Sequence, residues 1–151
     1  MSFERLFPKV VKFISLRPRS QKEILAYLAK KSSNQKIRDK TFQELNNLGL
    51  IDDQAFVHWW IDQRNTFRPK GKRALMMELR QKGIDRDLSE TIINQEIDEK
   101  KLAKGLILKK RKFWERLPLE KQKEKLAGFL ARRGFSWTTI EAVLDENRQM
   151  E

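Results

Sequence analysis

His58 is the only histidine in the chain, and cysteine is absent. These two facts close most routes to chemistry. A nucleophilic triad needs a base held beside the nucleophile. A single imidazole inside the aromatic run Phe56-Val57-His58-Trp59-Trp60 reads instead as a packed helix residue. Without cysteine there is no thiolate nucleophile, disulfide framework or thiolate-bound zinc, and one histidine cannot form a two-histidine metal site. Adjacent carboxylates stand at Asp52 and Asp53. Just past Gly49, they read as caps at the positive end of a helix rather than as an acid–base pair. No glycine-rich phosphate-binding motif occurs. The catalytic, metal and cofactor sets are therefore expected to be empty, and the chain is expected to act by binding.

Charge is the remaining resource. The formal net charge is +12, from 33 Lys and Arg against 21 Asp and Glu. Such an excess implies an anionic partner, most commonly nucleic acid. The cations are uneven along the chain. Lys70, Arg73 and Arg80 share a helical stripe with Met77, away from Leu75 and Leu79, and Lys82 ends that helix. Further on come Lys109, Lys110, Arg111 and Lys112, then Lys121, Lys123, Lys125, Arg132 and Arg133. These are either solvated faces or a basic track, and the candidate partner- and DNA-binding set is Lys70, Arg73, Arg80, Lys82, Lys109, Lys110, Arg111, Lys112, Arg132 and Arg133. Trp59, Trp60, Phe113, Trp114 and Trp137 have the rings to stack on bases, but each is expected in the core, Trp137 least firmly.

Helices must position these residues. Leu, Lys, Glu, Arg and Gln dominate, all good helix formers, and Pro and Gly are scarce. Nine Phe and four Trp separate the chain from disordered basic tails. Self-similarity then sets the plan. Leu79-Arg80-Gln81-Lys82-Gly83-Ile84-Asp85 matches Leu130-Ala131-Arg132-Arg133-Gly134-Phe135-Ser136 at an offset of 51 residues. At the same offset Ile24, Leu75 and Leu126 align, as do Arg17-Pro18-Arg19 and Arg68-Pro69-Lys70. In each matched turn a glycine leaves the helix through the left-handed region, the next apolar residue packs back on a leucine, and Asp or Ser caps the following helix. Gly49, Leu50, Leu45 and Asp52 repeat the pattern. Ser20 and Glu23 form a capping-box pair. The expected helices are 3–16, 20–31, 36–48, 52–67, 70–82, 85–97, 98–116, 119–133 and 136–147. They group into three three-helix repeats over 1–51, 52–97 and 98–151, an all-α, elongated and curved array. Ser32-Ser33-Asn34 lacks the glycine turn, so a longer, more mobile loop is expected there.

A helix-turn-helix reader places its third helix among phosphates. Here that helix carries Asp87, Glu90 and Glu96 in the second repeat, and Glu141, Asp145 and Glu146 in the third. Those carboxylates disfavour groove reading by two of the three repeats. A stand-alone nucleic-acid-binding module is thus the second reading. A basic amphipathic membrane binder using Lys100 to Arg116 is a third, and the compact repeat weighs against it. No apolar run approaches the length of a bilayer span, and the first twelve residues lack the apolar stretch of a secretory leader. A cytoplasmic monomer is the expectation.

Three segments resemble the signature of the RecX recombination regulators. They are Leu45-Asn46-Asn47-Leu48-Gly49-Leu50-Ile51-Asp52-Asp53-Gln54-Ala55-Phe56-Val57, then Arg73-Ala74-Leu75-Met76-Met77-Glu78-Leu79-Arg80-Gln81-Lys82-Gly83-Ile84, and Phe129-Leu130-Ala131-Arg132-Arg133-Gly134-Phe135-Ser136. The resemblance keeps the order of the blocks over nearly the whole chain. Phe67-Arg68-Pro69-Lys70-Gly71 departs from the family's usual glycine- and proline-rich approach to the middle helix, and the first repeat is the most divergent. What the resemblance implies is a non-enzymatic protein that binds RecA filaments on DNA and inhibits their ATPase, strand-exchange and co-protease activities.

Overall fold

The computed structural model describes residues 1–149, with side chains through Glu146. The described elements are all helical: α1 (Phe3–Leu16), α2 (Gln21–Lys31), α3 (Gln35–Asn47), α4 (Asp53–Phe67), α5 (Lys72–Gln81), α6 (Arg86–Glu96), α7 (Glu99–Trp114), α8 (Leu119–Arg132) and α9 (Trp137–Gln149). No strand occurs among the described residues. The all-α repeat architecture expected from composition and period is the one observed.

Helix ends follow local chemistry. All three expected glycine turns have positive φ: Gly49 at 72°, Gly83 at 79° and Gly134 at 86°. In each, the residue after glycine donates its N–H five residues back: Leu50 to the Leu45 carbonyl at 2.9 Å, Ile84 to Leu79 at 3.0 Å, and Phe135 to Leu130 at 3.1 Å. These are the helix-closing bonds of a Schellman ending. The next helix is capped as the residues dictate. Asp52 accepts from the Ala55 N–H at 3.0 Å, Asp85 from Leu88 at 3.2 Å, and Ser136 from Thr139 at 3.3 Å. The Ser20–Glu23 capping box closes in both directions.

Two expectations are corrected. The Ser32-Ser33-Asn34 connection is no longer than the glycine turns. Asn34 caps α3 through the Ile37 N–H at 3.2 Å, Ser32 is buried, and Arg38 donates to the Ser32 carbonyl at 2.7 Å. Side-chain caps do there what glycine does elsewhere. The middle helix of the second repeat starts at Lys72, not Lys70. Its first N–H groups are taken by partners distant in sequence, described below.

The chain divides into two compact units that cut across the period. One comprises Met1–Trp60 with Leu79–Ser89; the other comprises Ile61–Glu78 with the chain from Glu90 on. In the first, Leu6, Val10, Ile24, Leu28 and Leu45 form a core flanked by Phe7, Val11, Ile14, Tyr27, Ile37 and Phe42. Their three- and four-residue spacing on α1 and α2 gives each helix one apolar stripe. In the second, α7, α8 and α9 enclose Ala103, Leu106, Ile107, Leu126, Phe129, Leu130, Phe135, Ile140, Val143 and Leu144.

Candidate functional site

Two similar joints organise the charged side chains. Each starts from an acidic pair, Asp52-Asp53 or Asp98-Glu99. The first acid caps its own helix: Asp52 caps α4, and Asp98 caps α7 through the Lys101 N–H at 3.1 Å. The second acid caps a different helix. In the first unit Asp53 Oδ1 accepts from the Gln21 N–H, at the start of α2, at 2.7 Å. In the second unit Glu99 Oε2 accepts from the Lys72 N–H, at the start of α5, at 2.8 Å. Lys72 lies one 51-residue period beyond Gln21, so matched helix starts receive the same carboxylate device, although Glu99 follows Asp53 by 46 residues. Glu99 also accepts from the Ser136 N–H at 3.0 Å and the Ser136 hydroxyl at 2.9 Å. It is buried, which opposes its ionisation. The Lys72 and Ser136 N–H groups and the Thr139 and Ser136 hydroxyls outweigh that penalty, and its carboxyl sits below the usual range. These carboxylates are fasteners between helices.

Around the first joint two cations share one carboxylate. Arg17 Nη2 meets Glu23 Oε2 at 2.6 Å, and Lys82 Nζ meets the same oxygen at 3.5 Å. The Arg17 guanidinium lies 5.0 Å from the Trp59 ring centre, and the Lys82 ammonium 5.5 Å from that of Trp60. Burial of Glu23 opposes its charge. The hydrogen bonds from Arg17 and the Ser20 N–H, with the charges of Arg17 and Lys82, win and hold its carboxyl low.

The second unit carries a cation–aromatic cluster of different character. Lys110 Nζ lies 4.7 Å from the Phe113 ring centre and 5.3 Å from that of Phe129. The Arg133 guanidinium covers Phe129 at 5.1 Å and donates to the Pro69 carbonyl at 3.0 Å. Burial, and then the charge of Arg68, make Arg133 harder to protonate than usual. Among the described residues, Arg68, Lys110 and Arg133 pair with no carboxylate.

The chain is similar to known proteins over most of its length. Models of the second and third three-helix domains of RecX match residues 52–93 and 98–144. The regulatory protein RecX of Chlorobium phaeobacteroides (strain BS1) is 35% identical over 146 residues, covering 95% of this chain and 93% of that protein. The chain belongs to the RecX family. The RecX of Prosthecochloris aestuarii is 31% identical over 91% of this chain and 90% of that protein. The crystal structure of RecX from Lactobacillus salivarius shares the fold, with a TM-score of 0.86 over 95% of both chains at 19% identity.

Within this RecX fold the expected partner-binding residues separate into two groups. Arg73, Arg80, Lys109, Lys112 and Arg132 are exposed and pair with no carboxylate among the described residues. Lys109 also lines a groove of about 430 Å³ with Lys101 over Ile97, Leu102 and Leu106. Lys70, Lys82, Lys110, Arg111 and Arg133 are half-buried. Lys70 precedes α5 and so leaves the Arg73–Met77–Arg80 stripe. It binds Glu78 at 3.1 Å beside Arg64, which meets Glu78 at 2.5 Å. Lys82 is held by Glu23, as described. Of the carboxylates that disfavour groove reading, Glu146 is occupied by Lys100 and by Lys104, the latter at 2.5 Å. Its carboxyl is lowered by those two ammonium groups.

The aromatic expectations also divide. Trp59 and Trp60 are half-buried, with ring centres 6.0 and 5.7 Å from that of buried Phe56, and Trp114 packs on the second unit's core. Phe113 and Trp137 are not core residues; they are 72% and 61% exposed. At the last turn of α7, Trp114 takes the inward position and Phe113, one step round the helix, faces out. Trp137 opens α9, a turn before the buried stripe of Ile140, Val143 and Leu144 begins. Sequence reading missed Glu99, Gly71 and Arg68; the Asp98-Glu99 pair, like Asp52-Asp53, marks a helix start in the sequence but not the distant partner of its second acid. His58 is half-buried on α4. Among the described residues no group of three or more His, Cys, Asp or Glu is placed to share a metal ion, and no helix is long and apolar enough to cross a membrane.

Proposed function

We propose that this chain binds the filament that the recombinase RecA forms on DNA and inhibits its ATPase, strand-exchange and co-protease activities, limiting recombination and the DNA-damage response. It does so without chemistry of its own, as a cytoplasmic monomer. Membership of the RecX family, whose relatives are named regulatory proteins, carries this reading. The site supports it. Repeats over 1–51, 52–97 and 98–151 offer similar helix ends, and a filament offers identical protomers, so modest contacts act together as avidity. Of the expected set, Arg73, Arg80, Lys109, Lys112 and Arg132 are both exposed and unpaired with any carboxylate among the described residues. Charge of this kind suits acidic protein surface and DNA phosphates alike.

The test is the single-strand-dependent ATPase of RecA, titrated with this protein. Inhibition at comparable concentrations is expected; an unchanged rate rejects the function. Reversing the charges of Arg73 and Arg80 together should weaken inhibition several-fold, and intact inhibition would reject only that surface. A stand-alone nucleic-acid-binding module is the second reading, favoured by the uncompensated cluster around Phe129. Salt-dependent binding to random duplex without any effect on the filament would select it.

A further inference from the structure

Ala103, Ile107, Lys110 and Trp114 continue one stripe along α7 at four- and three-residue steps. Ala103 and Ile107 are buried and Trp114 packs on the same core, so Lys110 stands where an apolar residue would extend it. Its ammonium rests between Phe129 and the outward ring of Phe113. Arg133 shares Phe129 and donates to the carbonyl of Pro69, which brings the neighbouring Arg68 alongside. Like charges so gathered repel one another unless an anion joins them. The surface is therefore incomplete as it stands.

We infer that Arg68, Lys110, Arg133 and Phe113 form a binding ledge for single-stranded nucleic acid, with the cations meeting phosphates and Phe113 stacking against a base. Two features favour this partner over an acidic peptide. Lys110 and Arg133 are held against rings, and Phe113 is 72% exposed, so the ledge presents positive charge and an exposed ring together. A single strand supplies both complements: a phosphate at every nucleotide and an unpaired base. A duplex keeps its bases stacked, and an acidic peptide lacks them. This goes beyond the filament reading and does not require it, since the ledge acts in the absence of recombinase.

The experiment is fluorescence anisotropy with a labelled oligothymidylate and with a random duplex, no recombinase present, over a range of salt. Phe113→Ala should lose at least about five-fold in affinity for the single strand, with less loss on duplex. Lys110→Gln should flatten the logarithmic salt dependence on the single strand by about 0.7. Both positions lie at the surface end of α7, and an unchanged melting temperature shows that the variants fold. Wild-type affinity in both variants, or no binding by the parent chain, overturns the proposal. So does displacement of the strand by polyglutamate at equal charge, which points to an acidic protein instead. RecA ATPase separates the two readings. Inhibition without strand binding sinks the ledge alone, and strand binding without inhibition sinks the filament reading alone.

Discussion

The joints at the starts of α2 and α5 use the same carboxylate bond but close around it differently. At α5 the contact is backbone against backbone. Gly71 donates its N–H to the Arg133 carbonyl at 2.7 Å, and the Arg73 N–H meets the Gly134 carbonyl at 3.1 Å. A Cβ on Gly71 would land on the Gly134–Phe135 peptide, and one on Gly134 would lie 2.6 Å from the Ala74 nitrogen. At α2 side chains fill the same role. Lys22 donates from Nζ to the Gln81 carbonyl at 3.1 Å, and a Cβ on Gly83 would meet the Lys22 side chain, its Cβ at 2.7 Å. Period and capping chemistry can therefore repeat while tolerance does not. The α5 joint is closed by backbone; the α2 joint is closed by a side chain and by charge.

The widest break of this comparison comes from the three positive-φ glycines. Gly134→Ala faces both left-handed strain, about 1–2 kcal/mol, and overpacking against backbone, about 1–3 kcal/mol. It should lose about 3 kcal/mol or more, and a chain this size then melts roughly 6–12 °C lower. Gly83→Ala carries the same strain and meets Lys22 from its Cβ outward, with no backbone atom among the nearest contacts, so it should cost about 2 kcal/mol, between the other two. Gly49→Ala has nothing within 4 Å of the new methyl and should cost only the strain, about 1 kcal/mol. Chemical denaturation checks the order 134, 83, 49. Equal losses at 134 and 83 would remove the distinction between the joints.

Glu99→Gln probes the shared fastener at the α5 joint. It replaces the buried acceptor of three hydrogen bonds by a neutral amide, at a cost of about 2 kcal/mol near neutral pH. The native carboxyl is lowered, so the stability it contributes is complete above the ordinary glutamate range and is lost as pH falls through its native value. The parent chain should thus weaken more steeply on acidification than Glu99→Gln, with the two curves converging in acid. A constant gap between melting curves from neutral to acid pH would show that charge on Glu99 adds nothing.

What the sequence made legible was local. Schellman endings at Leu45–Leu50, Leu79–Ile84 and Leu130–Phe135 need only residues within one turn, and the caps Asp52, Asp85 and Ser136 need three more. The destinations of Asp53 and Glu99 were not legible, because their partners lie 32 and 27 residues away. Gly71 looks like a loop glycine until the Gly134 turn is laid against it. The basic track was half legible. Counting cations could not show that Lys70 and Lys82 are occupied by Glu78 and Glu23 while Arg73 and Arg80 are not. Phe113 went astray because period alone does not say where a helix outruns its core.

Glu23→Gln asks whether neutralisation is what separates the cation cluster at the α2 joint from the one around Phe129. The change keeps an acceptor for the Ser20 N–H but removes the charge facing Arg17 and Lys82. Because these groups are partly solvated, stability should fall by only about 1 kcal/mol, and by less in high salt. The informative effect is on binding. Arg17 and Lys82, each already over a tryptophan ring, would then resemble Lys110 and Arg133 over Phe129. Affinity for the labelled single strand should rise, and its salt dependence should steepen by about 0.7 for each cation released. If the substitution leaves both quantities where they were, the carboxylate is not what silences the α2 cluster, and exposure of the ring rather than charge balance decides which cations take an anion.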